Sequence, residues 1–374
     1  MASDAQTLIQ DAFKAVDIEV GGKRPWDIQV HNPAFYGRLL SGGSLGLGES
    51  YMDGWWDSPA IDQFIYKILH NRLNDRIPIN ANVIWNFLLA KLINFQRLRP
   101  FNVGQQHYDI GNDLYRAMLD KRLVYSCGYW SSPQHPAQNL AEAQEAKLDL
   151  VCRKIGLQEG QRVLDIGSGW GSFLKFAAEK YGAHGVGVTV SKEQAALARE
   201  LCAGLPVETR LQDYMTLEGS FDHIVSIGMF EHVGPKNYRA YFKKVHSLLK
   251  DDGFFLLHTI GNNITTQNEP WSAKYIFPDG VVPSIEQIGR ANDDIFSMED
   301  WHNFGPDYDK TLMAWHANFE ASWDSLKGSY DERFHRMWRY YLLTCAASFR
   351  VRYLQLWQIV FTKIGAKERY ASVR

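Results

Sequence analysis

Three glycines and an aspartate carry the strongest chemical signal in this chain. The run Asp165-Ile166-Gly167-Ser168-Gly169-Trp170-Gly171 follows the apolar Val163-Leu164 and precedes a helix-like stretch. Glycine at such a turn admits backbone angles closed to other residues and lets a ligand approach the main chain. The spacing is GxGxG, not the GxGxxG of pyrophosphate binding. Asp165 inside the run suits a ligand that bears an ammonium group. A dinucleotide site also wants an acid about 20 residues further on, for a ribose hydroxyl, and Thr189 stands there instead. Two more residues are of types that move protons: Glu231 after one apolar run and His258 at the end of another. Read alone, each has a plainer role, Glu231 as a cap or ion-pair partner and His258 as a hydrogen-bonded structural imidazole. Cys127 alone reads as a small buried side chain, Cys345 as core, and Tyr308 between Asp307 and Asp309 as a loop tyrosine.

These residues need a frame, and the pattern from Arg162 onward supplies one. Val163–Ile166, Gly185–Thr189, Val207–Leu211, Phe221–Ile227 and Phe254–Thr259 read as strands. Helical runs at Ser172–Lys180 and Lys192–Cys202 fall between them. Strands alternating with helices predict a doubly wound α/β sheet, whose ligands sit at the carboxyl ends of the strands. The first ~75 residues are short and punctuated by glycine, and Gly42–Ser50 reads as loop. The adjacent Trp55 and Trp56 read as packing at the edge of a small domain. The final stretch, Asp331 to Arg374, reads as helical, with nine basic residues against three acidic ones, and its interleaved aromatics point to one face that is buried or meets lipid.

Composition bounds the alternatives. At 374 residues the chain is long enough for about two domains. The 45% hydrophobic and 22% charged content argues for globular structure over disorder. A net charge of −2 argues against a nucleic-acid binder dominated by phosphate contacts. The four cysteines are far apart with no CxxC pair, so neither a zinc site nor a disulfide framework is expected. Reduced thiols, and a beginning that reads as no signal peptide, suit a cytoplasmic protein. No run of about 18 apolar residues is free of charge, so no bilayer-spanning helix is expected. Residues 76–107 hold no acid but carry Arg76, Lys91, Arg97 and Arg99, with the apolar run 83–95 among them. Such a stretch fits an interfacial helix or a buried interdomain one.

The run Val163–Gly171 resembles motif I of the class I S-adenosylmethionine methyltransferases. The runs Tyr125–Trp130, Leu211–Tyr214, Ser226–Gly234, Leu257–Gly261, Lys274–Pro278 and Glu299–Gly305 resemble the cyclopropane-fatty-acyl-phospholipid synthases and their mycolic-acid relatives, and residues 43–51 look like the bacterial phospholipid enzymes. Ser168 departs from the cysteine common at that place in the family. The resemblance implies a class I methyltransferase Rossmann-like doubly wound sheet (105–374), a smaller, mostly helical, lipid-associated N-terminal domain (1–88) and a linker (89–104). It implies S-adenosylmethionine held by Tyr125, Ser126, Asp165, Gly167, Gly169, Thr189, Gln194, Gln212 and Asp213. It also implies a hydrogencarbonate base beside the reacting carbon, held by main-chain atoms of Cys127 and Ile260 and by the side chains of Glu231, His258 and Tyr308. No metal is implied. The implied reaction transfers a methylene to the cis double bond of an unsaturated phospholipid acyl chain and closes a cyclopropane ring, with methylation without ring closure as the alternative. The implied partners are a phospholipid bilayer, met from the cytoplasmic face as a peripheral protein, and a second copy in a homodimer.

Overall fold

Continuous apolar runs, buried on both faces, set the architecture. The structure is a computed structural model; it describes residues 2–73, 111–266, 268–367 and 370–374. In chain order the described helices are α1 (Ala2–Lys14), α2 (Ala34–Met52), α3 (Ile61–His70), α4 (Asn112–Met118), α5 (Leu140–Lys154), α6 (Ser172–Tyr181), α7 (Lys192–Leu201), α8 (Tyr238–Leu248), α9 (Pro270–Tyr275), α10 (Ile285–Asn292), α11 (Pro306–Leu326) and α12 (Glu332–Arg350). The strands are β1 (Gln29–Val30), β2 (Trp56–Asp57), β3 (Arg162–Ile166), β4 (His184–Thr189), β5 (Val207–Leu211), β6 (Phe221–Ile227), β7 (Leu249–Gly261), β8 (Phe296–Asn303) and β9 (Gln355–Lys363). The chain packs as two compact units. One comprises Met1–Asn94, Gln267–Pro278 and Leu312–Leu354, the other Phe95–Thr266, Asp279–Thr311 and Gln355–Arg374. The expected linker at 89–104 and the apolar run 83–95 lie outside the described residues.

The second unit holds the seven-stranded sheet, in the order β5-β4-β3-β6-β7-β9-β8. Strands β3 to β7 pair in parallel, while β9 runs antiparallel to both β7 and β8. Both faces are covered, so successive strand residues feed two separate cores. Leu164, Ile166, Val186, Ile224, Phe255, Ile359 and Phe361 face one core. Val163, Val225, Leu256 and Val360 face the other, against Leu148, Phe173 and Leu174 of the helices. The five expected strands and two helices are present, and the class I Rossmann-like sheet is the observed fold.

The helical reading of residues 331–374 needs correction: α12 ends at Arg350, and 355–363 form β9. The chain turns at Arg352, whose φ is +62°, a backbone angle that ends the helix. Beyond it, Leu356, Trp357, Ile359, Val360 and Phe361 are aromatic or branched residues suited to a pleated surface, and all are buried.

In the first unit, Gly42–Ser50 is not loop but lies inside α2, which kinks at Gly43 (φ +54°). Glycine here serves close packing, because a Cβ at Gly48 would overlap the Trp271 indole. Trp56 fills the centre of this unit. Its ring lies 5.0 Å from Tyr51 and 5.2 Å from Phe64, and Nε1 donates to the Leu47 carbonyl at 3.1 Å. The basic residues of α12 are paired inside the unit: Arg333 with Asp53 at 3.1 Å, Arg336 with Asp57 at 2.7 Å and Arg350 with Asp62 at 2.6 Å.

Candidate functional site

At the carboxyl ends of β3, β4 and β6 the second unit encloses a cavity of about 280 Å³. Tyr125, Ser126, Asp165, Gly167, Gly169, Thr189, Gln194, Gln212 and Asp213 all line it. The glycine loop forms its floor. Gly167 has φ +87°, and its N–H donates to the Val188 carbonyl at 3.0 Å. A Cβ on Gly167 would come within 2.6 Å of the Met229 side chain, so both the angle and the space require glycine. At Gly169 a Cβ would point into open space, which leaves the main chain accessible to a ligand. Ser168 keeps its hydroxyl on the Val188 carbonyl at 3.4 Å.

Polar groups around the cavity are partly committed and partly open. Thr189 Oγ1 donates to Gln194 Oε1 at 2.8 Å, and Ser191 caps α7 by accepting from the Gln194 N–H. Gln212 Nε2 donates to Thr216 Oγ1, and Asp213 Oδ1 accepts from the Met215 N–H. Asp165 differs: its Oδ1 is buried with no hydrogen-bond partner among the described residues. Burial pushes its carboxyl up to about 7, against the opposing pull of Lys147. A buried acceptor without a donor suits a ligand's ammonium group. The cradle therefore fits S-adenosylmethionine by its open glycine backbone and its orphan acid.

The five residues assigned to the reacting centre lie outside that cavity's lining but inside the same unit. Glu231 sits in a 3-10 turn after β6, where its Oε1 accepts from the Ile260 N–H at 2.7 Å. Its Oε2 is buried without a partner, and burial raises the carboxyl from 4.5 to about 7. His258, on β7, pairs in register with Ile227 of β6 on one side and Gln358 of β9 on the other. Assigning Gln358 Nε2 as the donor to His258 Nδ1, at 3.3 Å, places the imidazole proton on Nε2. That Nε2 is buried without a partner. Burial holds His258 well below the ordinary imidazole range, helped by the charges of Lys147 and Lys154. Glu231 lies in the turn just beyond β6 and His258 near the end of the adjacent β7, and the Ile260 N–H ties the turn to that strand.

Cys127 and Tyr308 are tied to one another's segments. The Gly128 N–H donates to Thr311 Oγ1 at 3.1 Å, and Trp130 Nε1 donates to the same hydroxyl at 2.9 Å. Asp307 accepts from the Trp130 and Ser131 N–H groups at 2.7 and 2.9 Å. The first turn of α11, which carries Tyr308, is thereby clamped to the segment that carries Cys127. Burial raises the Cys127 thiol well above its usual range, so it is a neutral side chain there. The adjacent Ser126 lines the cavity, and Gly228, also in its wall, donates to the His258 carbonyl at 2.9 Å. Phe230 stacks on Tyr238 at 4.3 Å in the core. Cys345 belongs to the first unit.

Sequence reasoning missed Lys147, Gln358 and Thr311. Gln358 and Thr311 lie in elements whose partners come from distant parts of the chain. Lys147 lies in a stretch that reads as an ordinary amphipathic helix, so its burial has no local signal.

A family model described as mycolic acid cyclopropane synthetase matches residues 95–359. The chain is 51% identical to a cyclopropane-fatty-acyl-phospholipid synthase of Escherichia coli (strain K12), over 95% of this chain and 93% of that one. It is 32% identical to the tuberculostearic acid methyltransferase UfaA1 of Mycobacterium tuberculosis, over 90% of this chain and 83% of that one. The solved structure of mycolic acid cyclopropane synthase CmaA1 complexed with SAH and CTAB matches with a TM-score of 0.65 at 33% identity, covering 73% of this chain and 100% of that one. A match along most of its length, on a fold with the glycine cradle in place, means that the chain belongs to the mycolic acid cyclopropane synthetase family of S-adenosylmethionine-dependent methyltransferases.

Proposed function

We propose that the protein adds a methylene to the cis double bond of an unsaturated phospholipid acyl chain and closes a cyclopropane ring. One observation carries this reading: a buried carboxylate oxygen just beyond β6 and a buried imidazole nitrogen near the end of β7, both without hydrogen-bond partners among the described residues, lie beside the cofactor cavity. S-adenosylmethionine, when bound, supplies an electrophilic methyl on sulfonium. An alkene is a weak nucleophile, so the protein's work is to align the two and keep water out. Methyl transfer leaves a carbocation on the acyl chain, and loss of a proton from the new methyl closes the ring. Glu231 Oε2 would accept a proton, and His258 Nε2–H and the Tyr308 hydroxyl would donate hydrogen bonds. That set of donors and acceptors suits a hydrogencarbonate ion. The Ile260 N–H is already given to Glu231, so Ile260 would offer its carbonyl. Cys127 would contribute its main chain, since its neutral thiol is no base.

The substrate lies in a bilayer, so the protein would dock from the cytoplasmic face as a peripheral protein. No described helix is long and apolar enough to cross a membrane. A homodimer would strengthen docking by presenting two faces at once. On sequence, we keep the lipid-associated role with residues 1–88, and the 76–107 stretch is the basic candidate for contact. Methylation without ring closure is the second reading, favoured by the similarity to a tuberculostearic acid methyltransferase. The test is incubation with unsaturated phospholipid vesicles, S-adenosylmethionine and hydrogencarbonate, then lipid mass spectrometry before and after hydrogenation. A gain of CH2 that takes up no hydrogen supports the ring. A gain that takes up two hydrogens favours methylation alone, and no gain in any chain defeats both.

A further inference from the structure

α5 carries two buried lysines, and they are treated differently. Lys154 ion-pairs Asp300 at 3.2 Å, as a buried cation ordinarily must. Lys147, 1% exposed, lines the cofactor cavity and donates to Ser126 Oγ at 2.8 Å. Among the described residues no carboxylate reaches it within ion-pairing distance. Asp120 is close enough to act through its charge, but its oxygens accept from the Val124 and Arg122 N–H groups at 2.9 and 3.0 Å. Asp165, in the same cavity wall, has an oxygen with no donor. The wall thus presents a lysine and an acid that feel each other's charge but make no ion pair. That is the complement of an α-amino acid zwitterion.

We infer that Lys147 recognises the α-carboxylate of the cofactor's methionyl group, with Asp165 facing its ammonium. The inference rests on the reading that this cavity takes S-adenosylmethionine, and it adds a residue that reads the amino-acid end of that ligand. A charged hydrogen bond in a buried wall discriminates strongly against a ligand lacking its partner. Burial pushes the lysine down to about 8, and an arriving carboxylate would restore the charged form.

Calorimetric binding by the full chain tests this with three probes: S-adenosylmethionine, its decarboxylated analogue, and 5′-methylthioadenosine, which lacks the amino-acid end. The wild type should prefer S-adenosylmethionine over the decarboxylated analogue by about tenfold to a hundredfold. Lys147→Met should abolish that preference and leave 5′-methylthioadenosine binding in place. A preference that survives Lys147→Met, or is absent in the wild type, overturns the inference. Equal weakening of all three probes in Lys147→Met makes the lysine a prop for Ser126 and overturns it too. A wild type that binds none of the three defeats the cofactor reading itself.

Discussion

Glu231 has two unequal oxygens. One is held by the Ile260 N–H, and the other is buried and open. Glu231→Gln keeps an acceptor for the Ile260 N–H but removes the ability to take a proton. Turnover should then fall by about a hundredfold or more, while calorimetry still shows S-adenosylmethionine binding; unchanged turnover would remove Glu231 from proton transfer. The same variant has a stability signature. The carboxyl is raised from 4.5 to about 7 in the folded protein. Its contribution is therefore fully present below pH 4.5 and is lost as pH rises through 7. The melting temperature of Glu231→Gln should gain on the wild type as pH goes from 5 to 8, and a constant difference would contradict the burial assigned here. At this scale the sequence was informative where the backbone itself makes the demand. Gly167 must be glycine for both its angle and its space, so motif and structure agree there. Lys147 was illegible, because the stretch Ala141-Glu142-Ala143-Gln144-Glu145-Ala146-Lys147 reads as a solvated helix face until other elements cover it.

Among elements, the parallel strands were legible because their continuous apolar runs are bounded by turns. β8 and β9 were not. Residues 331–374 hold helix and strand in succession, and basic residues spread through both masked the change of period. The α2 glycines misled in the opposite direction, since a residue that often breaks helices serves there to admit an indole. The β7–β9 pairing has its own tight spot at Gly261, where a Cβ would overlap the Trp357 ring. Trp357 cannot retreat, because it packs edge-on against Trp301 at 4.9 Å. Gly261→Ala should destabilise by about 1–3 kcal/mol, read as a lower urea midpoint. A second substitution, Trp357→Leu, should recover part of that loss. An unchanged midpoint in the single variant would show that the strand end has room to relax.

Over the whole molecule, charge behaves differently from its appearance in sequence. The surplus of basic residues after 331 suggested a lipid-facing surface, yet Arg333, Arg336 and Arg350 each meet an aspartate within their own unit, as do Lys363 and Arg374 in the other. Attraction to a membrane is then asked mainly of residues 76–107, which lie outside the described residues. Binding to vesicles containing anionic lipid should weaken as salt rises from about 0.05 to 0.5 M, as followed by sedimentation. Replacing Lys91, Arg97 and Arg99 with Glu should weaken it at low salt, whereas Arg336→Gln should not. Binding indifferent to salt and to anionic lipid would remove the electrostatic part of the docking proposal.

The place of β9 also governs when the site can come into being. The strand that lies between β7 and β8 is made after every other described strand, and it brings Gln358 to His258 across a hundred residues. The residues that line the cofactor cavity, from Leu123 to Asp279, are all made before β9, so during synthesis the cradle can assemble early. The imidazole's surroundings must wait until the ribosome has released residue 363. A nascent chain would therefore hold the glycine cradle before the imidazole has its glutamine neighbour.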